Sequence, residues 1–175
     1  GGLRAAAQLV SYEVPLVMVV VTVAMLAQSL DLRVISAIQA PLETAQPVLN
    51  EVNEAGRTFN HIGLPLVLIF PLGLVLFLLA GLAEVGRTPF DIYFAESEIV
   101  GGPFVEYSGA HWSVFFLAEY INTFVVAILV ALLFFGGWMF PLMPDISWLG
   151  LLWVVLKTYL VIAVIFWLRG TLPRL

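Results

Sequence analysis

The sequence predicts an all-α fold: a polytopic transmembrane helix bundle with about four spans and an acidic amphipathic loop between the second and third. Three observations predict it. Of 175 residues, 62% are hydrophobic and 11% charged, whereas a soluble domain carries roughly a quarter charged residues. Four stretches are apolar for about the ~20 residues of helix that cross a ~30 Å hydrocarbon core. Those stretches are continuously apolar, without the alternation that a barrel wall demands.

The spans fall at 14–30, 61–83, 112–138 and 148–168, within a single membrane domain over residues 1–175. The first is short and extends back through Tyr12 and Glu13. Pro65 and Pro71 lie inside the second and should bend it, freeing carbonyls that neighbouring helices must satisfy. Trp112, Trp138, Trp148 and Trp167 stand near span ends, where indole rings favour the lipid–water interface. Residues 31–60, with Glu43, Glu51, Glu54 and Arg57, show no motif and are expected to form a solvated outer loop. Arg4, Arg87, Arg169 and Arg174 fall on one side and Arg33 and Arg57 on the other, which assigns the loop 84–111 to the cytoplasm. Residues 1–7 read like the middle of a protein, so a partial chain, or fragment, is expected.

Composition also excludes several chemistries. With no cysteine, this chain can supply no disulfide, iron–sulfur ligand or zinc–thiolate site. His61 and His111 lie far apart and fit no metal spacing. A net charge of −5 without basic, aromatic-interleaved clusters argues against nucleic acid.

Charge is concentrated in one connection. Glu84, Arg87, Asp91, Glu96, Glu98 and Glu106 share it with Phe90, Ile92, Tyr93, Phe94, Ile99, Val100, Phe104 and Tyr107. A loop with that much apolar surface should fold back against the bundle and carry carboxylates with it. Asp91 can cap a short helix through Phe94 to Ile99, on which Glu98 shares a face with Ala95 and Ile99. Glu84 ends the second span, where its charge opposes the helix dipole, so it needs either Arg87 as an ion-pair partner or a task. Glu119 lies about two turns into the third span, with Asn122 one turn further on the same face. An acid at membrane depth costs about 2.5–3.5 kcal/mol on insertion scales, so those that persist are functional by default. Glu119 is either a proton-relay group or one that snorkels to the interface or pairs with Lys157. Lys157, mid-span in the fourth helix, is either a charge partner or a second relay element. Glu13 stands at the mouth of the first span beside Tyr12 and Gln8.

These residues fall into an ordered string. Ala83-Glu84-Val85-Gly86-Arg87-Thr88-Pro89-Phe90-Asp91 leads to Ala95-Glu96-Ser97-Glu98-Ile99-Val100-Gly101-Gly102. Val105-Glu106-Tyr107-Ser108-Gly109 and Phe115-Phe116-Leu117-Ala118-Glu119-Tyr120 follow. The string resembles the H-type membrane subunit family (mitochondrial subunit 1 type) of respiratory complex I, NADH:quinone oxidoreductase. Leu3-Arg4-Ala5-Ala6-Ala7-Gln8 and Trp167-Leu168-Arg169-Gly170-Thr171-Leu172-Pro173-Arg174 extend the resemblance almost end to end. The family has about eight membrane helices, twice the number for which this chain has room.

The resemblance implies a subunit of a proton-translocating enzyme in the bacterial plasma membrane or mitochondrial inner membrane. It implies quinone as substrate, with Arg87, Phe90, Glu96, Glu98 and Glu106 at the quinone chamber and loop. Glu13, Glu84, Asp91, Glu98 and Glu119 become the proton-coupling acids of a funnel towards the membrane interior. Implied partners are other complex I subunits, above all the peripheral subunits carrying the terminal iron–sulfur cluster and the neighbouring small membrane subunits, together with lipid. Metal and cluster would sit outside this chain. The alternative is the ion-translocating membrane subunit of a membrane-bound hydrogenase or formate hydrogenlyase, which the long run from Pro89-Phe90-Asp91 to Glu119-Tyr120 disfavours.

Overall fold

The protein is seen in a computed structural model that describes residues 2–54, 61–86, 90, 108–139 and 147–172. Within them the chain is helical: α1 Gly2–Ala27, α2 Leu32–Gln39, α3 Leu42–Glu54, α4 Leu66–Ile69, α5 Pro71–Val85, α6 Ala110–Phe134 and α7 Ser147–Thr171. Among the described residues, three segments are long and apolar enough to cross a membrane: Leu9–Ala27, Ala110–Phe134 and Trp148–Thr171.

These helices are apolar on both sides. On α7, Val161 and Ile165 face inward, one turn apart, while Leu151, Leu156, Tyr159, Leu160 and Trp167 stay more than half exposed. On α1, Val19, Val23 and Ala27 repeat every fourth residue towards the core, and Val14, Met18 and Met25 point out. So much contiguous outward apolar surface exceeds what a soluble monomer tolerates, and hydrocarbon is the solvent that suits it.

The second expected span, 61–83, is not one bent helix but a broken one. Pro71 has no N–H to give to Val67, and the residue before a proline is pushed out of the helical region. Phe70 accordingly sits at φ −128°, ψ 58°, closing α4, and Pro71 restarts the chain as the first residue of α5. The 15 residues of α5 reach only about 22 Å. Gly86 ends α5 at φ +69°, its N–H turned back to the carbonyls of Ala83 and Leu82.

The expected outer loop at 31–60 is also corrected. Residues 55–60 lie outside the described residues, but the rest forms two helices, and α2 is buried along Val34–Gln39. Asp31 caps α2, accepting from the Arg33 N–H at 2.8 Å, and pairs with the Arg33 guanidinium at 3.1 Å. Once capped, the run Val34, Ile35, Ala37, Ile38 gives this short helix enough apolar surface to dock rather than float.

Neighbouring helices run antiparallel. Leu16 of α1 lines a common pocket with Glu84 and Val85 of α5, and the rings of Tyr12 and Phe90 lie tilted at 51° with centroids 5.3 Å apart. Along α5 and α6, Phe77 lies against Phe134 at 6.0 Å, and Gly81 admits Val126 so closely that an added Cβ would sit 2.7 Å from Val126 Cγ1. One end of the bundle thus holds Tyr12, Glu13, Glu84 and Arg169, and the other holds Arg33, α2 and α4.

The C-terminus of α6 meets Lys157, inside the apolar stretch of α7, where lipid supplies no water to its last carbonyls. Each described partner comes from the protein. Gly136 turns the chain at φ +70°, and the Gly137 N–H returns to the Ala131 carbonyl at 3.0 Å. Gln39 Nε2 donates to the Leu133 carbonyl at 3.0 Å, and Lys157 Nζ donates to those of Phe135 and Gly137, the latter at 2.9 Å. Lys157 also stands 5.1 Å from the centroid of the Trp153 ring. Gln39 is 2% exposed and uses its whole amide: Nε2 donates to Ile35 as well, and Oε1 accepts the Leu66 N–H at 2.9 Å. One side chain thereby ties α2 to the end of α6 and the start of α4.

Candidate functional site

A pocket of about 180 Å³ opens where α1, α5 and α6 converge. Leu16, Phe77, Val85, Val125, Val126 and Leu129 make its walls apolar, and Glu84 and Asn122 are its polar members. The positions follow from helical spacing. Glu84 lies two turns from Phe77 on α5, and Asn122 lies one turn from Val125 and Val126 on α6. Phe77, fully buried, is the floor, and Glu84 stands exposed at the rim.

At ~30 Å³ per molecule, such a volume holds about six waters. It falls below the ~300–1,000 Å³ of pockets that enclose a cofactor-sized ligand. The pocket suits a short water chain ending on one carboxylate.

The expected site residues divide into three groups. Glu84 lines the pocket. Glu13 and Glu119 each lie one turn from a lining residue, Leu16 and Asn122 respectively, with Glu13 exposed and Glu119 half-buried. Phe90 is half-buried and packs on Tyr12 and the core. Arg87, Asp91, Glu96, Glu98 and Glu106, and with them the expected cap-and-helix at 91–99, lie outside the described residues.

Lys157 resolves one open choice. Its ammonium is bound at the far end of α6, beside Phe135, which is 16 residues or about 24 Å of helix from Glu119. An ion pair between Lys157 and Glu119 is therefore excluded, and the lysine's described hydrogen-bond partners are neutral carbonyls.

Sequence reading missed Gln39 and His61. His61 Nε2 lies 3.0 Å from the Ala40 carbonyl, fastening the start of the second hydrophobic stretch to the end of α2. The overlooked signal was an Asp31 cap preceding Val34, Ile35, Ala37 and Ile38 at helical spacing. Among the described residues, no group of three or more His, Cys, Asp or Glu side chains is placed to hold a metal ion.

Similarity carries further than geometry at this point. The profile of the family described as NADH dehydrogenase matches residues 1–175. The chain belongs to that family. It is 42% identical over 176 residues to the NADH-quinone oxidoreductase H subunit of Brevibacillus brevis, covering 100% of this chain and 46% of the relative. The corresponding protein of Bacillus thuringiensis is 41% identical over 175 residues, covering 100% and 46%. That of Ralstonia pickettii is 38% identical over 182 residues, covering 99% and 47%. The chain thus spans about half the length of the curated relatives it matches.

Proposed function

We propose that this chain is part of the membrane subunit of a proton-translocating NADH:quinone oxidoreductase, coupling quinone reduction to proton transfer through its carboxylates. The observation that carries the reading is the small, apolar-walled pocket with Glu84 at its rim and Asn122 in its wall. Family membership supports the enzyme, and the likeness to relatives named as parts of NADH-quinone oxidoreductase supports quinone as the substrate.

Converting a quinone to its hydroquinone consumes two electrons and two protons. This chain has no cysteine for a cluster, so electrons arrive from a neighbouring peripheral subunit. The residues of this chain handle protons and charge. The loop 84–111, with Arg87, Phe90, Glu96, Glu98 and Glu106, lines the chamber on the cytoplasmic side. Proton uptake or negative charge there shifts the proton affinity of Asp91 and Glu98, then of Glu84. Water in the pocket, oriented by the Asn122 amide, passes the change onward to Glu119, with Glu13 across the mouth on α1. Other membrane subunits complete the translocation, in the bacterial plasma membrane or its mitochondrial equivalent.

The test is Glu84→Gln in the full-length subunit within its assembled complex, which preserves size and removes titration. Proton uptake into vesicles is measured per NADH oxidised, beside quinone reduction itself. The expected result is loss of most pumping per electron with the complex intact. Normal assembly with an undiminished proton-to-electron ratio would remove Glu84 from the path.

A further inference from the structure

We infer that α2 and the paired rings of Phe77 and Phe134 form a dry seal, closing the bundle beneath the Glu84 pocket so that a proton entering it cannot cross to the α2 side through these helices. The inference builds on the reading of that pocket as a proton vestibule, while its own test needs no turnover.

The layers stack in a definite order. Phe77 presents its ring to the pocket and packs 6.0 Å from Phe134, and both are fully buried. Val23, Ala127, Val130 and Leu133 belong to the same buried cluster, followed by Ile38 of α2 and Leu66 of α4. A migrating proton needs an unbroken file of waters or exchangeable groups at hydrogen-bond distance, roughly 3 Å apart. Among the described residues, the buried polar side chains below the floor are Gln39, Ser36 and Thr158. None offers a step. The Gln39 amide does not titrate, and both Nε2 hydrogens and its Oε1 are engaged by backbone. The Thr158 hydroxyl is spent on the Val154 carbonyl of its own helix.

Ser36 is the informative member. Its hydroxyl is wholly buried with no hydrogen-bond partner, an arrangement that polar cavities normally relieve with water. On the α6 side the packing is tight: a Cβ built on Gly137 would lie 2.5 Å from Ser36 Oγ and 3.2 Å from its Cβ. The close approach of α2 to the end of α6 leaves no gap between the Ser36 hydroxyl and the Gly137 backbone. The charged groups at that end are each held by a described partner. Asp31 and Arg33 pair with each other at the start of α2, His61 is bound to Ala40, and Lys157 is held on the α7 flank by the Phe135 and Gly137 carbonyls. The second described hollow, about 620 Å³ along Val21, Met25 and Leu30, is an open groove over exposed side chains of α1.

The test uses the assembled complex in sealed liposomes without NADH, with a potassium gradient and valinomycin driving protons inward and an internal dye reporting pH. Wild-type influx should match protein-free vesicles, Phe77→Ala and Phe134→Ala should raise it several-fold, and Leu151→Ala, on the exposed side of α7, should leave it unchanged. Phenylalanine variants that assemble and leak no more than Leu151→Ala overturn the seal, as does a leaking wild type. Should those variants fail to assemble, the absence of cysteine from these 175 residues lets a thiol introduced among them serve as a gentler probe, read against the unsubstituted complex. A water-borne methanethiosulfonate should modify Val125→Cys, in the pocket wall, and leave Val130→Cys, in the seal, unmodified. Equal modification of the two positions overturns the proposal.

Discussion

Replacing Gln39 by leucine should be among the most damaging single changes outside the pocket, although the two side chains are similar in size. The Leu133 carbonyl depends on Gln39 Nε2, because the Gly137 N–H that would serve it is committed to Ala131. The Leu66 N–H opens α4 and has no preceding helical turn to accept it, so Gln39 Oε1 is its described partner. The third bond, to Ile35, is a supplement within α2. Two orphaned buried groups at about 1–3 kcal/mol each predict a loss of ~2–6 kcal/mol, at least a tenfold shift in the folding equilibrium. Gln39→Glu should be no milder, since a carboxylate can keep the Leu66 bond but has no hydrogen for Leu133. The exposed Gln46→Leu is the control and should stay within about 0.5 kcal/mol. The assay is the midpoint of denaturant unfolding of the assembled, detergent-solubilised complex, followed through release of this subunit. A Gln39→Leu midpoint matching Gln46→Leu would refute the claim that α2 is held by this amide.

Three other substitutions bear on the same framework. Gly137→Ala combines φ +53° with a Cβ only 2.5 Å from Ser36 Oγ, so it should cost about 1–3 kcal/mol in the same unfolding assay and expose α2 to limited proteolysis. Lys157→Met should destabilise the α6 end by roughly 1.5–3 kcal/mol per lost charged hydrogen bond, and a double-mutant cycle with Glu119→Gln should give a coupling below about 0.5 kcal/mol. A larger coupling would restore the ion pair that the distance excludes. At the start of α2, Asp31→Ala should cost ~1 kcal/mol as a lost helix cap. Arg33→Ala should leave the midpoint almost unmoved, because its bridge to Asp31 is solvent-exposed. Unfolding midpoints of the two variants compare them directly.

The long helices were legible in the sequence because lipid imposes one requirement on a whole stretch, and Ala110–Phe134 and Trp148–Thr171 satisfy it residue after residue. The proline break was half legible. Pro71 announced a disturbance, but bend and restart differ only in the backbone of Phe70. The burial of α2 was missed because its eight residues fall below any membrane-length threshold. Its hydrophobic side becomes meaningful only when the end of α6 arrives from 94 positions away to meet Gln39. At the site, Glu84 and the Glu119–Asn122 face could be picked out as acids and amides in apolar surroundings. The pocket they approach could not, because Leu16 and Phe77 look like any other span residues until three helices converge on them.

The lysine that closes the α6 terminus has a bearing on biogenesis. Threaded alone into the bilayer, α7 would carry a bare ammonium near its middle, at about 2.5–3.5 kcal/mol on insertion scales. The acceptors that quiet that charge, the Phe135 and Gly137 carbonyls, do not exist as a pair until α6 has ended in its glycine turn. Each helix thus presents the translocon with what the other lacks: a cation without acceptors, and acceptors without a donor. The two are best released into lipid together, as a hairpin already joined.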